Sequence, residues 1–231
     1  MKNWIPWIGA ATLLLALCVM LPRSEKVAVY QWSAPFELVI DAGHGGSDGG
    51  AVSVTGKRES EYNLSIALRV EDMAAFAGLR PVMLRREDVS LESGGVTIAS
   101  RKVSDLKNRV KIVHAVENPL LLSIHQNHFS EAKYHGAQVF YAQTPGSEAL
   151  AQTMQDALRM GLDPKNHRKC KPARGIYLME QVSCPAVLVE CGFLSNPAEE
   201  ERLGDAAYQK KLAAVMVSVI AGMERTNPDE I

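Results

Sequence analysis

The sequence predicts an α/β fold with a single sheet of about six strands and helices on both faces. Short apolar runs of the buried-strand type alternate along the chain with longer segments whose apolar residues recur three and four positions apart. Hydrophobic residues make up 47% of the chain and charged residues 22%, which is typical of a globular protein. Alternation of this kind favours one sheet that is covered by helices on each side.

Three strands and two helices are predicted between residues 36 and 125. Residues 36–41 (FELVID) form an apolar strand that stops at a glycine-rich turn. Residues 59–77 have apolar side chains at helical spacing and are followed by a glycine, and residues 81–84 form the next short strand. Residues 98–116 are amphipathic and helical, after a polar loop with two adjacent glycines. Residues 119–125 (PLLLSIH) are an apolar run typical of a buried strand.

Five further elements follow. Residues 137–142 show the alternation of a strand, and residues 147–160 are predicted to be helical. Residues 175–178 form a short predicted strand. Residues 185–190 (PAVLVE) are a second run of the buried-strand type. Residues 205–225 form a final helix with an apolar stripe. Because ligands of such sheets bind beyond the carboxyl ends of the strands, functional residues are expected there.

A hydrophobic segment precedes the predicted domain. Residues 4–21 carry no charge, and their length of about 18 residues is close to the minimum for a membrane-spanning helix. No small-x-small cleavage site follows, so residues 1–22 are predicted to be an N-terminal anchor, with a cleaved signal peptide as the alternative. Both predictions place the rest of the chain outside the cytoplasm. That rest comprises a linker at residues 23–35 and a catalytic domain at residues 36–226.

Charge and cysteine usage exclude two classes of protein. The net charge is -1 and no run of Lys and Arg stands out, so nucleic acid is not an expected partner. Of the four cysteines, Cys18 lies in the hydrophobic segment. The other three, Cys170, Cys184 and Cys191, have no C-x-x-C spacing, so a disulfide framework is not indicated.

Residues suited to catalysis follow three of the predicted strands. His44 lies in the turn after the first strand, His125 ends the third and Glu190 ends the last, while Glu59 opens the first helix. Two histidines and one carboxylate suit a catalytic zinc site, which keeps a fourth position open for water. A second carboxylate could then take a proton. A histidine after a strand can also be structural, whereas Glu190 is more informative because an unpaired buried charge is costly.

Four stretches of the sequence carry a resemblance to a known family. They are DAGHGGSDGGA at 41–51, RESEYNLSIA at 58–67, SIHQN at 123–127 and PAVLVECGFLSNPAEEERL at 185–203. The chain resembles the N-acetylmuramoyl-L-alanine amidase family that has a zinc-binding catalytic domain, over residues 36–225. The resemblance implies a mixed sheet flanked by helices.

The resemblance also implies a reaction and a set of site residues. The implied substrate is peptidoglycan, cut at the amide between the lactyl group of muramic acid and L-alanine. His44, Glu59 and His125 are expected to bind one Zn²⁺, and Glu190 is the expected catalytic carboxylate.

Residues 101–117, followed by SIHQN, further resemble the sporulation and germination amidases of this family. Those enzymes act in the spore cortex. There they remove the stem peptide so that a partner muramic acid deacetylase can help to form muramic-δ-lactam, which germination enzymes recognise. The expected partners are therefore peptidoglycan strands, such a deacetylase and an accessory activating protein. The expected location is the spore cortex, with the membrane reached through the N-terminal segment.

Three alternatives stay open. One is a general vegetative cell-wall amidase of the same family. Another is a cysteine hydrolase that uses Cys191 with His44 or His125, although strand alternation turns Cys191 away from Glu190. The third is an inactive wall-binding protein, against which the complete set of polar residues argues. Sensitivity to a chelator distinguishes zinc chemistry from thiol chemistry.

Two residues are left without a role. Arg109 matches a recurrent position of the family, and its function stays open. His128 lies three residues after His125, so in an extended segment the two side chains point to opposite faces. Lining of the substrate groove and metal binding both stay open for His128.

Overall fold

A computed structural model describes residues 35–224 of the 231-residue chain. The predicted segment 1–22 and nearly all of the linker 23–35 lie outside the described residues, so their boundaries stay predictions. Within residues 35–224, no helix has both the length and the apolar character needed to cross a membrane. The described chain contains six strands and six helices, which confirms the predicted fold class.

The elements are numbered here in chain order. The strands are β1 (Glu37–Ala42), β2 (Arg80–Met83), β3 (Pro119–Asn127), β4 (Gln138–Tyr141), β5 (Lys171–Pro172) and β6 (Ala186–Phe193). The helices are α1 (Glu59–Phe76), α2 (Ile98–Ala115), α3 (Ser147–Leu162), α4 (Tyr177–Gln181), α5 (Pro197–Gly204) and α6 (Ala206–Glu224).

The six strands form one mixed sheet in the order β2-β1-β3-β6-β4-β5. All neighbouring pairs are parallel except β4 and β6, which run antiparallel. The carboxyl ends of β1, β3 and β6 therefore meet at one edge of the sheet. In register across these strands, Asp41 pairs with Ser123, and His125 pairs with Glu190.

Helices cover both faces of the sheet. One face packs against α1 and α3 through a large buried cluster that includes Ile40, Leu122 and Val189, and α6 packs against α1 and α3 in the same cluster. The other face packs against α2 and α4 through a smaller cluster that includes Leu121 and Leu188. Each such side chain stabilises the fold by about 1.5–3 kcal/mol when it is fully buried. Because strand side chains alternate, Asp41, His125 and Glu190 belong to the face that carries α2 and α4.

Polar side chains fix the starts of three helices. At α1, the carboxylate of Glu61 accepts from the backbone N–H of Arg58 at 3.1 Å, which makes Glu59 the first helical residue. At α2, Thr97 Oγ1 accepts from the N–H of Ser100, whose own hydroxyl oxygen accepts from the N–H of Thr97. At α5, the Asn196 side chain accepts from two backbone N–H groups and Pro197 occupies the first turn.

The predicted strand at residues 175–178 is wrong. Gly175 adopts a left-handed turn with φ 74°, and helix α4 (Tyr177–Gln181) follows directly. The strand at this edge is the two-residue β5 (Lys171–Pro172), a few residues earlier. Leu178, Met179 and Val182 bury their side chains at helical spacing, and a four-residue apolar run cannot distinguish that spacing from a strand.

Helix α5 (Pro197–Gly204) was not predicted. Its sequence, PAEEERLG, is short and polar, and two of its three buried residues are Glu199 and Glu200. Asn196 followed by proline is a recognisable helix start, but a helix of eight residues with a single large apolar side chain, Leu203, has no apolar stripe that would predict it.

Candidate metal centre and active site

The four predicted site residues converge at the carboxyl edge of the sheet. His44 lies in the loop after β1, His125 lies near the end of β3, Glu190 lies in β6, and Glu59 opens α1. The candidate ligand atoms of His44, Glu59 and His125 all lie within 4.8 Å of one another. The parallel pairing of β1, β3 and β6 produces this convergence, since it brings their carboxyl ends together.

Glu59 bridges the two histidines. Its Oε2 lies 3.3 Å from His44 Nε2, and its Oε1 lies 3.0 Å from His125 Nδ1. Burial opposes ionisation of Glu59, but the hydrogen bonds and charges of His125 and His44 outweigh it and hold the pKa of this carboxyl well below its usual range. Burial also lowers the pKa of His44, yet hydrogen bonds to Asp48 and Glu59 raise it to about 9.

This cluster fits a divalent metal ion. The lowered pKa of Glu59 keeps its carboxylate anionic, and Asp48 adds a second carboxylate beside His44, so the cluster attracts a cation. Two imidazoles and one carboxylate are the nitrogen and oxygen ligands that a catalytic zinc site uses. Among residues 35–224, this is the group of His, Cys, Asp and Glu side chains that is close enough to hold a metal.

Glycines allow the close approach of these side chains. A Cβ atom at Gly43 would lie 2.2 Å from His125 Nε2, and one at Gly50 would lie 2.5 Å from Glu59 Oε2. His44 itself has φ 61° in the left-handed region, which is unusual for a residue with a side chain. The glycines around His44 therefore supply the space that the cluster needs.

Three further donors hold the Glu59 carboxylate in place. The backbone N–H of Gln126 and the side-chain amide of Asn63 donate to Oε1 at 3.1 and 3.2 Å. The backbone N–H of Ala51 donates to Oε2 at 2.9 Å. Because these donors lie on α1, on β3 and on the loop after β1, the position of the carboxylate is fixed by three separate elements.

Asp48 is a site residue that sequence reasoning missed. Its Oδ2 lies 3.0 Å from His44 Nδ1 and also 3.0 Å from Lys102 Nζ of α2. A carboxylate on one ring nitrogen orients the other nitrogen toward a metal, as is common around metal-binding histidines. The sequence contained a clue, because Asp48 follows His44 by four residues within a glycine-rich turn that brings the chain back on itself.

Glu190 carries a carboxyl oxygen, Oε2, that is shielded from solvent and has no hydrogen-bond donor among residues 35–224. In the sheet Glu190 pairs with His125 of β3 on one side and with Gln138 of β4 on the other. Burial raises the pKa of Glu190 to about 7. A carboxyl group with this pKa can both accept and release a proton near neutral pH.

Arg109, whose role was open, joins α2 to the base of the site. It donates to the buried carboxylates of Asp41 and Asp105, and its Nη2 donates to the carbonyl oxygen of His44 at 2.7 Å. Ser123 completes the network by donating to Asp41 at 2.6 Å. Arg109 is 2% exposed, so the ion pair is buried and fixes the loop that carries His44.

A cleft of about 220 Å³ opens beside the two histidines. Its lining includes Lys102 and Leu106 from α2, and Ile176 and Tyr177 from the other wall. The apolar and aromatic side chains give it the character of a site for an organic ligand.

Two other sequence candidates lie outside the cluster. His128 is exposed beyond the end of β3 and does not belong to the group of candidate ligands among the described residues. Cys191 is buried in the core of the opposite sheet face, and burial raises the pKa of its thiol far above the usual range. A thiol in that position has neither access to substrate nor the thiolate character of a nucleophile.

Comparison with known proteins gives consistent results in sequence and in fold. Residues 38–222 match the family described as N-acetylmuramoyl-L-alanine amidase. The germination-specific N-acetylmuramoyl-L-alanine amidase of Bacillus subtilis (strain 168) is 41% identical over 189 residues, which are 79% of this chain and 78% of that protein.

Two solved structures have a similar fold. The CwlD amidase from Clostridioides difficile, in complex with the GerS lipoprotein, matches with a TM-score of 0.78 and 35% identity, covering 81% of this chain and 98% of that chain. The catalytic domain of CwlV, an N-acetylmuramoyl-L-alanine amidase from Bacillus (Paenibacillus) polymyxa var. colistinus, matches with a TM-score of 0.68 and 29% identity. That match covers 81% of this chain and 97% of the other chain.

Proposed function

The chain belongs to the N-acetylmuramoyl-L-alanine amidase family, and we propose that it performs the family reaction with one zinc ion. The reaction hydrolyses the amide between the lactyl group of muramic acid and L-alanine in peptidoglycan. His44, Glu59 and His125 would hold the zinc, and Glu190 would handle the proton. The observation that carries this proposal is the convergence of two imidazoles and a carboxylate within 4.8 Å, next to a buried carboxyl group without a hydrogen-bond partner on Oε2.

In such a site, zinc supplies Lewis acidity, which polarises an amide carbonyl and makes water acidic near neutral pH. Glu190 accepts a proton from the attacking water as the water oxygen bonds to the carbonyl carbon. It then returns that proton to the nitrogen of L-alanine as the carbon–nitrogen bond breaks. The products are a lactyl carboxylate on the glycan and a stem peptide with a free amino terminus.

The pKa of Glu190 suits both halves of this cycle. A carboxyl group with an ordinary pKa is a weak base and holds its proton poorly at neutral pH. In the metal-free site, burial raises the pKa of Glu190 to about 7, which brings proton acceptance and proton release close to balance. Because Glu190 pairs in register with His125, its carboxyl group lies beside the metal cluster.

The place of action is proposed from similarity. The relative in Bacillus subtilis is germination-specific, so we assign this chain to the spore cortex, where stem-peptide removal precedes muramic-δ-lactam formation. A muramic acid deacetylase would use the product. The CwlD structure holds a lipoprotein partner, which supports an accessory protein here as well. The hydrophobic residues 1–22 would export the chain and anchor it at the membrane.

Digestion of purified peptidoglycan tests the reaction. Mass spectrometry should detect stem peptides that begin with a free L-alanine and muramic acid with an unsubstituted lactyl carboxylate. Cleavage within the stem peptide or within the glycan would overturn the reaction. Spores of a deletion strain should lack muramic-δ-lactam, and a normal lactam content would reject the cortex role while leaving the reaction intact.

A further inference from the structure

A groove of about 430 Å³ lies beside the segments that lead into β4 and β5. It separates the segment that follows β3 from the segment that precedes β5. The groove is lined by Lys133, Tyr134, His135, Lys165, Asn166, His167 and Arg168. We call these seven residues the basic groove, because it gathers three cations and two histidines in a chain whose net charge is only -1.

Acidic side chains neutralise only part of this charge. Glu131 pairs with Lys133 at 2.5 Å, and Asp163 lies 3.7 Å from His135 Nδ1. Neither Lys165 nor Arg168 forms an ion pair with a carboxylate of residues 35–224. Two cationic side chains of the groove are therefore available to an anionic ligand.

Arg168 is held rigidly in this groove. Its Nε donates to the carbonyl oxygen of His135 at 2.8 Å, and its guanidinium lies 4.5 Å from the centre of the Phe193 ring. Its Nη1 donates to Gln138 Oε1 at 3.3 Å. Nη2 has no acceptor within the part of the chain that the structure describes. Burial lowers the pKa of Arg168, and the nearby charge of Glu199, which is not within ion-pair distance, offsets this only in part.

The basic groove adjoins the site of proton transfer. Gln138 contacts Arg168 and is also the register partner of Glu190 across the antiparallel pair of β4 and β6. Directly opposed residues of such a pair have Cβ atoms about 5 Å apart. One side chain thus separates the candidate proton acceptor from the groove.

The two sides of the site differ in character. Each cavity has an aromatic side chain in its lining, but the cleft beside His44 and His125 combines Lys102 with carboxylates such as Asp48, whereas the lining of the basic groove contains three cations and no carboxylate. The substrate also has two chemically different parts, one on each side of the amide bond that is cut. Its glycan presents sugar rings, while its stem peptide carries free carboxylates on acidic residues and at the carboxyl terminus.

We propose that the basic groove binds the carboxylates of the stem peptide, so that the peptide extends from Glu190 past Gln138 to Arg168 and Lys165. The glycan then occupies the cleft lined by Tyr177. This inference rests on the proposed amidase reaction and adds the direction in which the substrate crosses the site.

The test uses two soluble glycan-stem substrates that differ only in whether the stem carboxylates are free or amidated. The variant Lys133→Glu/Lys165→Glu reverses two exposed charges of the groove. Its kcat/KM on the free-carboxylate substrate should fall about tenfold through KM, and its kcat/KM on the amidated substrate should change less than about twofold. Arg168→Gln should show the same selectivity without reversing a charge.

The matched control is Lys210→Glu/Lys211→Glu, which changes the net charge equally on exposed positions of α6. It should leave kcat/KM on both substrates unchanged. Equal losses on both substrates, or no loss on either, would overturn the proposal. A further result would overturn it and indicate a site for a phosphate polymer. In that case polyglycerol phosphate would inhibit wild type but not the variant, and the variant would keep the wild-type preference for free over amidated stem carboxylates. Failure of wild type to cleave either substrate would instead contradict the amidase reaction.

Discussion

Replacing Glu190 by glutamine should separate catalysis from folding and metal binding. The amide has nearly the shape of the carboxyl group but cannot accept a proton from water. General-base contributions are about 10²- to 10⁴-fold, so kcat should fall by at least about 100-fold, which is about 3 kcal/mol of transition-state stabilisation. Zinc content should not change, because Glu190 is not a member of the candidate ligand group.

The same substitution should stabilise the metal-free protein above neutral pH. The pKa of Glu190 rises from 4.5 to about 7 on folding because the charged form is buried. Below pH 4.5 the group is protonated in both states and the free energy of unfolding carries no penalty. The penalty grows from pH 4.5 to 7 and then stays constant at about 3 kcal/mol, since each pKa unit corresponds to about 1.4 kcal/mol.

Urea denaturation in chelator at pH 4 and pH 8 measures this effect, and a muropeptide assay measures the loss of activity. Glu190→Gln should be more stable than wild type at pH 8 and equally stable at pH 4. Glu201→Gln, on the exposed surface of α5, is the matched control and should alter neither quantity. A fully active Glu190→Gln would refute the catalytic role. A variant less stable than wild type at pH 8 would refute the buried-charge argument.

Three further predictions concern the residues around the site. Asp48→Asn should weaken zinc binding about 10- to 100-fold in chelator competition while the far-ultraviolet circular dichroism stays native, because the carboxylate that orients His44 is lost. Arg109→Met should lower the free energy of unfolding by about 3–5 kcal/mol in urea, because it leaves Asp41 buried without its partner; a loss below about 1 kcal/mol would contradict the network. Alkylation of the native protein should label Cys170, which is half-buried, far faster than Cys191, and activity should survive; inactivation that follows the labelling of Cys191 would favour thiol chemistry.

Much of the site could be predicted because its residues follow the strongest local patterns of the sequence. The runs before His125 and Glu190 are so apolar that their composition alone predicts buried strands. Because parallel strands end at a common edge of the sheet, both side chains are then expected at that edge. The start of α1 at Glu59 also depends on a local contact, because the carboxylate of Glu61 accepts a hydrogen bond from the backbone N–H of Arg58. These residues were found without knowledge of the tertiary packing.

The contacts between distant segments could not be predicted in this way. Asp48 meets Lys102, and Gln138 meets Arg168, only because loops from different parts of the chain pack together at the carboxyl edge. The error at residues 175–178 has the same origin, since burial against the sheet selected a helix for a run that is too short to specify one. Local patterns therefore predicted the sheet and placed Glu190 at the end of a buried strand, and the family resemblance supplied its expected role, while the supporting polar contacts required the fold.

Metal analysis of the purified protein, combined with activity, tests the central claim most directly. The account predicts about one zinc per chain, loss of amidase activity in chelator and recovery with Zn²⁺. His44→Ala, Glu59→Ala and His125→Ala should each lower the zinc content, whereas Glu190→Gln should retain it. Full amidase activity in a metal-free protein, or undiminished zinc content in the three ligand variants, would contradict the account.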